Sequence, residues 1–432
     1  MKKNDNPIFD VVVLGGGAAG LVAAITSARN GAKTALIEHK DRVGKKILST
    51  GNGKCNYTNA LQDISYYHGD DPAFVLPVME QFGFDETIAF FQELGISPKQ
   101  RNGYYYPQSE QAASVTDVLR MELSYQNITC FLECNTSDIT QKRSCFLLHT
   151  DKGTITARNL IFATGLLAAP KTGSDGSAIP LIKQFGHRLS DVVPALVALQ
   201  CSEKYFKQLA GIRTMALVTL LVDGKTAASD CGEIQLTDYG ISGIPVFQVS
   251  RFATKALKKN LKPEALIDFL PDLSEEELLS LFTERFLTNA HQKTVEEAMI
   301  GFLNKKLCEV LLKESEIPLH AKADSLSKKD LHKLTYKCKN LHVHITGSKS
   351  FEQAQVCAGG VLTKDIDPHT MESRLVPGIY FAGEITDIDG ICGGYNLQWA
   401  WSSGYVAGLH AAKKGNSQIY DTNQPDKISG RA

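Results

Sequence analysis

Three glycines and one carboxylate near the start of the chain have the spacing of a phosphate-binding turn. Gly15-x-Gly17-x-x-Gly20 follows the apolar run 11–14, and a second apolar run ends at Glu38. Gly15 permits a tight turn and Gly17 lets backbone approach a pyrophosphate. Gly20 lets the following helix, opened by Ala18 and Ala19, pack closely on the strand. The free N–H groups and positive dipole end of that helix favour a phosphate. Glu38 can accept hydrogen bonds from both hydroxyls of an adenosine ribose, and its charge repels a 2′-phosphate. The order strand, glycine turn, helix, strand, acid points to a dinucleotide.

Two further stretches carry chemistry-bearing residues. VGKKILSTGNGKCNYTN (43–59) is glycine-rich and basic, and reads as an extended loop. Lys45, Lys46 and Lys54 supply positive charge, and Gly51 and Gly53 supply close backbone approach to a phosphorylated cofactor. Cys55 and Asn56 follow in the same loop. Near the other end, GIYFAGEITDIDGICGGYNLQWAWSSGYVAG (378–408) reads as a strand ending at Gly383-Glu384, then a glycine turn at Gly393-Gly394 opening a second helix. Its N-terminus could stabilise negative charge on a reduced flavin ring, and Glu384 could bond ribityl or ribose hydroxyls. A nucleotide domain assembled from both chain ends favours FAD over NAD.

The elements that position these residues set the domain plan. NLIFATG (159–165) is an apolar strand ending at Thr164-Gly165, returning beneath the cofactor. The spacing predicts helices at 74–94 and 114–125, with an aromatic, turn-rich excursion at 102–111 between them. From Ala195 the text becomes β-rich, with a hairpin turn at Asp223-Gly224, and from 263 to 341 it turns helical, with S/T-x-x-E capping boxes at Ser274–Glu277 and Thr294–Glu297. The reading is therefore a nucleotide domain at 1–191 and 341–415, an inserted β-rich domain at 192–262, an inserted helical domain at 263–340 and a tail at 416–432.

Composition narrows the class. The 432 residues have a net charge of -1, which argues against nucleic acid as the main partner. No run reaches eighteen apolar residues, and the N-terminus lacks the apolar core of a secretory signal. Ten scattered cysteines without a CxxC pair suit reduced thiols in the cytoplasm.

The segments together resemble the YhiN/BaiN-like flavoproteins, FAD enzymes described as aminoacetone-oxidase-type or bile-acid-reductase-type. The resemblance rests on GKKILSTGNGKCNYTN, KTGSDGSA (171–178), LTDYGISG (236–243), AQVCAGGV (354–361) and FAGEITDIDGICGGYNLQWAWSSG, and it spans nearly the whole chain. It implies an α/β fold: a discontinuous Rossmann-like FAD-binding domain with an inserted β-barrel-like and helical domain. It also implies non-covalent FAD, with Glu38 on the adenosine ribose, and Gly383 and Glu384 along the pyrophosphate and ribityl chain. Gly393, Gly394, Tyr395, Asn396 and Leu397 lie against the flavin ring, and Asp389 precedes them. Where the family has Gly-Arg-Cys-Asn this chain has Lys54, which lacks the arginine fork. TGLLAAP (164–170) replaces small polar residues with apolar ones, which favours an apolar substrate.

The flavin supplies the redox chemistry, so no triad is needed. A reductase of a C=C conjugated to a carbonyl needs an acid for the carbon opposite the flavin, and Tyr239 and Tyr395 are the candidates. NAD(P)H would act as a transient donor, since no second nucleotide fingerprint is visible. The alternatives are an amine or amino-ketone oxidase, and a flavoprotein acting in tRNA modification or binding flavin without catalysis. The expected partner is a small molecule, with neither membrane nor nucleic acid, and the protein a monomer or homodimer. Arg213 reads as a surface residue, Cys55 and Cys392 as packing residues, and His187 as a helix C-terminal cap. His342 and His344 share a strand face, but no third ligand lies nearby in sequence, so no metal is expected.

Overall fold

A computed structural model describes residues 8–422. The chain divides into two compact units: Met1–Val192 with Val356–Ala432, and Val193–Gln355.

The first unit is built on a seven-stranded sheet. Its order is Thr129–Phe131, Thr34–Ile37, Ile8–Leu14, Gly153–Phe162, Phe146–Thr150, Thr136–Gln141, with Ile379–Phe381 beside the second half of the long strand Gly153–Phe162. The first four of these and Ile379–Phe381 run parallel. The strands Phe146–Thr150 and Thr136–Gln141 add an antiparallel edge. Val11, Val12, Val13, Leu36, Leu160, Ile161 and Phe381 are fully buried, the continuous apolar pattern of strands covered on both faces. Helix Ala18–Arg29 lies against the last helix, Tyr395–Thr422. A methyl on Gly404 or Gly408 would overlap the carbonyl oxygen of Ala19 or Ala23, and Ser27 Oγ donates to the Gly408 carbonyl at 3.0 Å. Small residues thus let the two backbones touch.

The stretch 74–94 is not one helix. It breaks into Leu76–Met79 and Phe84–Glu93, because Glu86 reaches back to the Gly83 N–H at 2.9 Å and starts a new helix there. The aromatic excursion contains a hairpin, Pro98–Arg101 with Tyr104–Pro107, to which Thr58–Asn59 adds a third strand. Ala112–Tyr125 is helical.

The second unit is a closed six-stranded barrel. Its order is Leu199–Cys201, Gly240–Gly243, Lys225–Thr237, Arg213–Val222, Pro263–Asp268, Leu341–Ser348. Asp223 and Gly224 both have positive φ, 50° and 72°, as a two-residue hairpin turn requires. Helices Glu275–Thr283, Lys305–Glu314 and Lys328–Lys339 contribute Leu278, Phe282, Leu311, Leu331 and Leu334 to the core that holds Ile234, Ile267 and Val343 of the barrel. Both capping boxes form.

Two expected boundaries shift. Pro263–Asp268 is a strand rather than helical text, and Leu341–Ser348 closes the barrel, so the insertion runs 193–355 instead of 192–340 and its strands flank its helices. The reason is a short period-two pattern, with Pro263, Ala265 and Ile267 facing inward like Leu341, Val343 and Ile345. The expected tail at 416–432 continues the last helix as far as Thr422, and its remainder lies outside the described residues. Among the described residues, no helix is long and apolar enough to cross a membrane.

Candidate functional site

The glycine turn is built as its spacing requires. Gly15 has φ +98°, and a methyl there would sit 2.5 Å from the Ala163 carbonyl oxygen; one on Gly20 would overlap the Gly15 carbonyl. At Gly17 a methyl would meet no atom within 4 Å, so space opens just where helix Ala18–Arg29 begins. That helix start has no side-chain cap and no acidic residue in its first turn. Its orphan N–H groups and dipole therefore face an opening that suits an anion.

Glu38 closes one side of the turn. It is buried, with Oε2 accepting from the Gly16 N–H and Oε1 from the Lys40 N–H, each at 2.8 Å. A carboxylate offers about four acceptor positions, so capacity for two ribose hydroxyls is left. The Gly44 N–H donates to the Gly16 carbonyl at 2.7 Å, tying loop 43–59 to the same turn.

The segment 171–178 had no assigned role in the sequence, and the structure gives it one. A methyl on Gly173 would lie 3.6 Å from Glu38 Oε1, and one on Gly165 would lie 2.5 Å from Ser174 Oγ and 3.8 Å from Glu384 Oε2. Gly173 and Ser174 thus join the two carboxylates that flank the opening. His39 Nε2 approaches Asp175 at 3.4 Å beside them. Ser174 Oγ is buried without a protein hydrogen-bond partner. Glu384 itself is held by Lys46 Nζ on Oε2 and the Cys357 N–H on Oε1, both at 2.7 Å. Its neighbour Gly383 presses on Ala19: an added methyl would be 2.8 Å from the Ala19 Cβ. Thr164 lies against Gly15, its Cα 2.8 Å from where a Gly15 methyl would be. Residues from five separate stretches therefore converge on one helix start.

The glycine turn at Gly393-Gly394 forms a second cluster. Asn59 Nδ2 donates to the Gly393 carbonyl at 3.1 Å, and a methyl on Gly394 would strike the Thr58 backbone at 2.9 Å. Asn396 holds Gly390 through both its amide groups, at 2.8 and 2.7 Å, and so fixes the strand Ile388–Gly390 that contains the buried Asp389. Tyr395 is buried between Tyr66 and Tyr67, with ring centroids 5.0 and 5.9 Å away. Burial first, then Tyr66 and Tyr104, raises its hydroxyl above the ordinary phenol range, so it keeps its proton. Leu397 follows in the first turn of the helix. In loop 43–59, Gly51 and Gly53 adopt φ of 55° and 81°. The Asn56 Oδ1 is buried without a protein partner, an acceptor open to a ligand.

Other candidates are placed differently. Lys54 pairs at the surface with Glu110, at 3.3 Å, and is not among the groups around Glu384. Cys55 is buried, and desolvation pushes its thiol up to about 12, with Thr50 opposing; it is an inert packing residue. Of the apolar replacements in 164–170, Leu166 and Ala168 are fully buried in the core, whereas Leu167 and Ala169 are half-buried. Tyr239 belongs to the inserted unit, where Lys349 Nζ sits 3.5 Å from its ring centroid. Arg213 is exposed and pairs with Glu233 at 3.2 Å. His187 is not a cap: it is buried, with Nε2 2.9 Å from Ser373 Oγ and its ring against Phe381, and burial lowers its pKa. Across the sheet from His342 and His344 lies Glu264, and one side-chain N or O atom of each of the three falls within 4.8 Å of the others.

The donor set fits a dinucleotide: an open, uncapped helix start, a buried carboxylate with spare acceptor capacity, and a lysine–carboxylate pair beside both. The Lys46–Glu384 pair spans 338 positions, so only a fold could reveal it.

Comparison with known proteins agrees. The profile of the HI0933-like protein Rossmann domain matches residues 9–410. A 3-dehydro-bile acid delta(4,6)-reductase of Clostridium scindens is 43% identical over 404 residues, covering 93% of this chain and 98% of that protein. A ribosomal RNA dihydrouridine synthase of Escherichia coli is 28% identical over 411 residues, 94% of this chain and 99% of that one. Among solved structures, the open conformation of a flavocytochrome c3 fumarate reductase aligns with a TM-score of 0.50 at 14% identity, over 94% of this chain and 78% of that chain, a likeness of fold. The chain belongs to the HI0933-like Rossmann family, and it is a flavoprotein oxidoreductase.

Proposed function

We propose that the protein is an FAD-dependent reductase that saturates a C=C bond conjugated to a carbonyl, on a small steroid-like acid, with electrons from NADH or NADPH. The observation that carries this reading is the full-length 43% identity to a reductase of 3-dehydro-bile acid, on a chain whose glycine turn, Glu38 and Lys46–Glu384 suit a dinucleotide. FAD supplies the two-electron chemistry when bound. The chain's own work is to hold it: the helix start at Ala18 toward the pyrophosphate, Glu38 toward the adenosine ribose, Glu384 toward the linking hydroxyls. Gly393–Asn396 suits the ring end. A proton must also reach the carbon opposite the one that receives hydride. Tyr395 keeps its proton at working pH, and Tyr239 of the inserted unit is the other phenol to test.

A second reading is favoured by the 28% identity to a ribosomal RNA dihydrouridine synthase. Dihydrouridine is uridine with its carbonyl-conjugated ring C=C saturated, so both readings share one bond chemistry and differ in substrate. A net charge of -1 offers little to a phosphate backbone, which places the small-molecule reading first.

The test is anaerobic. NADH or NADPH should bleach the flavin of the purified protein, and a 3-oxo-4,6-unsaturated bile acid should restore its colour. Tyr395→Phe or Tyr239→Phe should slow that restoration by about 10²–10⁴-fold in whichever is the acid, and leave bleaching unchanged. Bleaching by an amine instead would make the protein an oxidase. Failure of the bile acid to reoxidise it, with dihydrouridine lost from ribosomal RNA of cells lacking the protein, would establish the RNA reading.

A further inference from the structure

The outer face of the barrel carries a cluster for which the flavin chemistry has no use. His342 and His344 alternate with the buried Leu341, Val343 and Ile345 on strand Leu341–Ser348, so both imidazoles project from the same outward face. The neighbouring antiparallel strand Pro263–Asp268 sets Glu264 directly opposite His344. Glu264 Oε2 lies 2.8 Å from His342 Nε2, and Glu264 Oε1 lies 3.7 Å from His344 Nε2. The three ligand atoms lie within 4.8 Å of one another.

We propose that His342, His344 and Glu264 form a binding site for a divalent transition-metal ion of the zinc class, with water completing the coordination. Two imidazoles and a carboxylate are a ligand set that such ions take in tetrahedral geometry with an open position. Bonds of about 2.0–2.2 Å place tetrahedral ligand atoms roughly 3.3–3.5 Å apart. The two Glu264–histidine separations, 2.8 and 3.7 Å, bracket that value. The hydrogen bonding behind the ligands is set for it. Glu203 Oε1 accepts from His344 Nδ1 at 2.8 Å and from the His344 backbone N–H at 2.9 Å. That carboxylate holds the proton on Nδ1 and turns the Nε2 lone pair toward Glu264, as partners of metal-bound histidines do. The side chains of His342, His344 and Glu264 are 40%, 58% and 31% exposed, so an ion can enter from solvent.

The test uses the full-length, flavin-loaded protein, stripped with chelator and titrated with Co²⁺, whose visible bands report tetrahedral nitrogen and oxygen ligands. One equivalent should bind and be displaced by Zn²⁺, and Zn²⁺ should raise the melting temperature. His342→Ala and His344→Ala should abolish both effects with flavin content unchanged. Glu203→Gln should weaken binding about 10–100-fold, and Cys231→Ser, which removes an exposed thiol, should change nothing. Absence of Co²⁺ binding, binding that survives the double histidine variant, or binding lost with Cys231→Ser would overturn the proposal.

Discussion

Glu38 has two tasks, and they can be separated. Its carboxylate accepts from the Gly16 and Lys40 N–H groups, so it shapes the glycine turn besides making the ribose contact proposed for it. Glu38→Ala leaves the buried Gly16 N–H and the half-buried Lys40 N–H unpaired, which costs about 1–3 kcal/mol for the buried one and less for the other. It should lower the melting temperature of the flavin-free protein and raise the FAD dissociation constant. Glu38→Gln keeps one acceptor and the side-chain volume, so it should weaken FAD with a smaller thermal loss. Equal FAD dissociation constants in wild type and both variants would move the ribose contact elsewhere. Glu38 was legible because strand, glycine turn and acid are consecutive in the text. The Lys46–Glu384 pair and Ser174 were not, since each partner is polar, ordinary and distant in sequence. Glu264 was not visible beside the histidine pair for the same reason: it is 78 positions from His342, and antiparallel pairing alone makes them neighbours.

Among the elements, the contact between helices Ala18–Arg29 and Tyr395–Thr422 has little tolerance. Gly404 and Gly408 lie where any side chain meets the Ala19 or Ala23 carbonyl. Gly404→Ala should therefore force the helices apart, at about 1–3 kcal/mol by the usual cost of overpacking. Because Ala19 lies in the first turn of the helix proposed to hold the cofactor's phosphates, flavin content on purification should fall as well. Gly211→Ala offers a control for the loss of a glycine, since an added methyl there meets nothing, although its φ of 90° adds local strain. A Gly404→Ala protein with unchanged melting and full flavin would show that the helices can separate freely. The helix after Gly393-Gly394 and the Asp223-Gly224 hairpin were legible from local turn chemistry. Strand Pro263–Asp268 was not, because six residues of alternating pattern were outweighed by the helical text after them.

At the scale of the molecule, the groups proposed to hold the cofactor lie in one unit and the barrel in the other. Heating the flavin-loaded and deflavinated proteins in a calorimeter should show FAD raising the transition of the first unit and leaving that of the barrel unit in place. Free FAD at a hundredfold excess over its dissociation constant is worth about 2.7 kcal/mol. A single transition that moves as a whole would mean that the units unfold together. The α/β class and the insertion were legible because the nucleotide pattern stops and resumes; the barrel's closure was not, since its last strand follows four α-helices. The interrupted first unit also has a consequence for synthesis on the ribosome. Helix Ala18–Arg29 emerges roughly 370 residues before the helix that covers it, a wait on the order of 20–70 s at about 5–20 residues per second. The barrel, continuous in sequence, can close during that interval. A nascent chain therefore carries a finished barrel behind an uncovered apolar nucleotide half, the part that chaperones must shield and proteases will attack, and a message truncated before Ile379 yields no flavin-binding fragment.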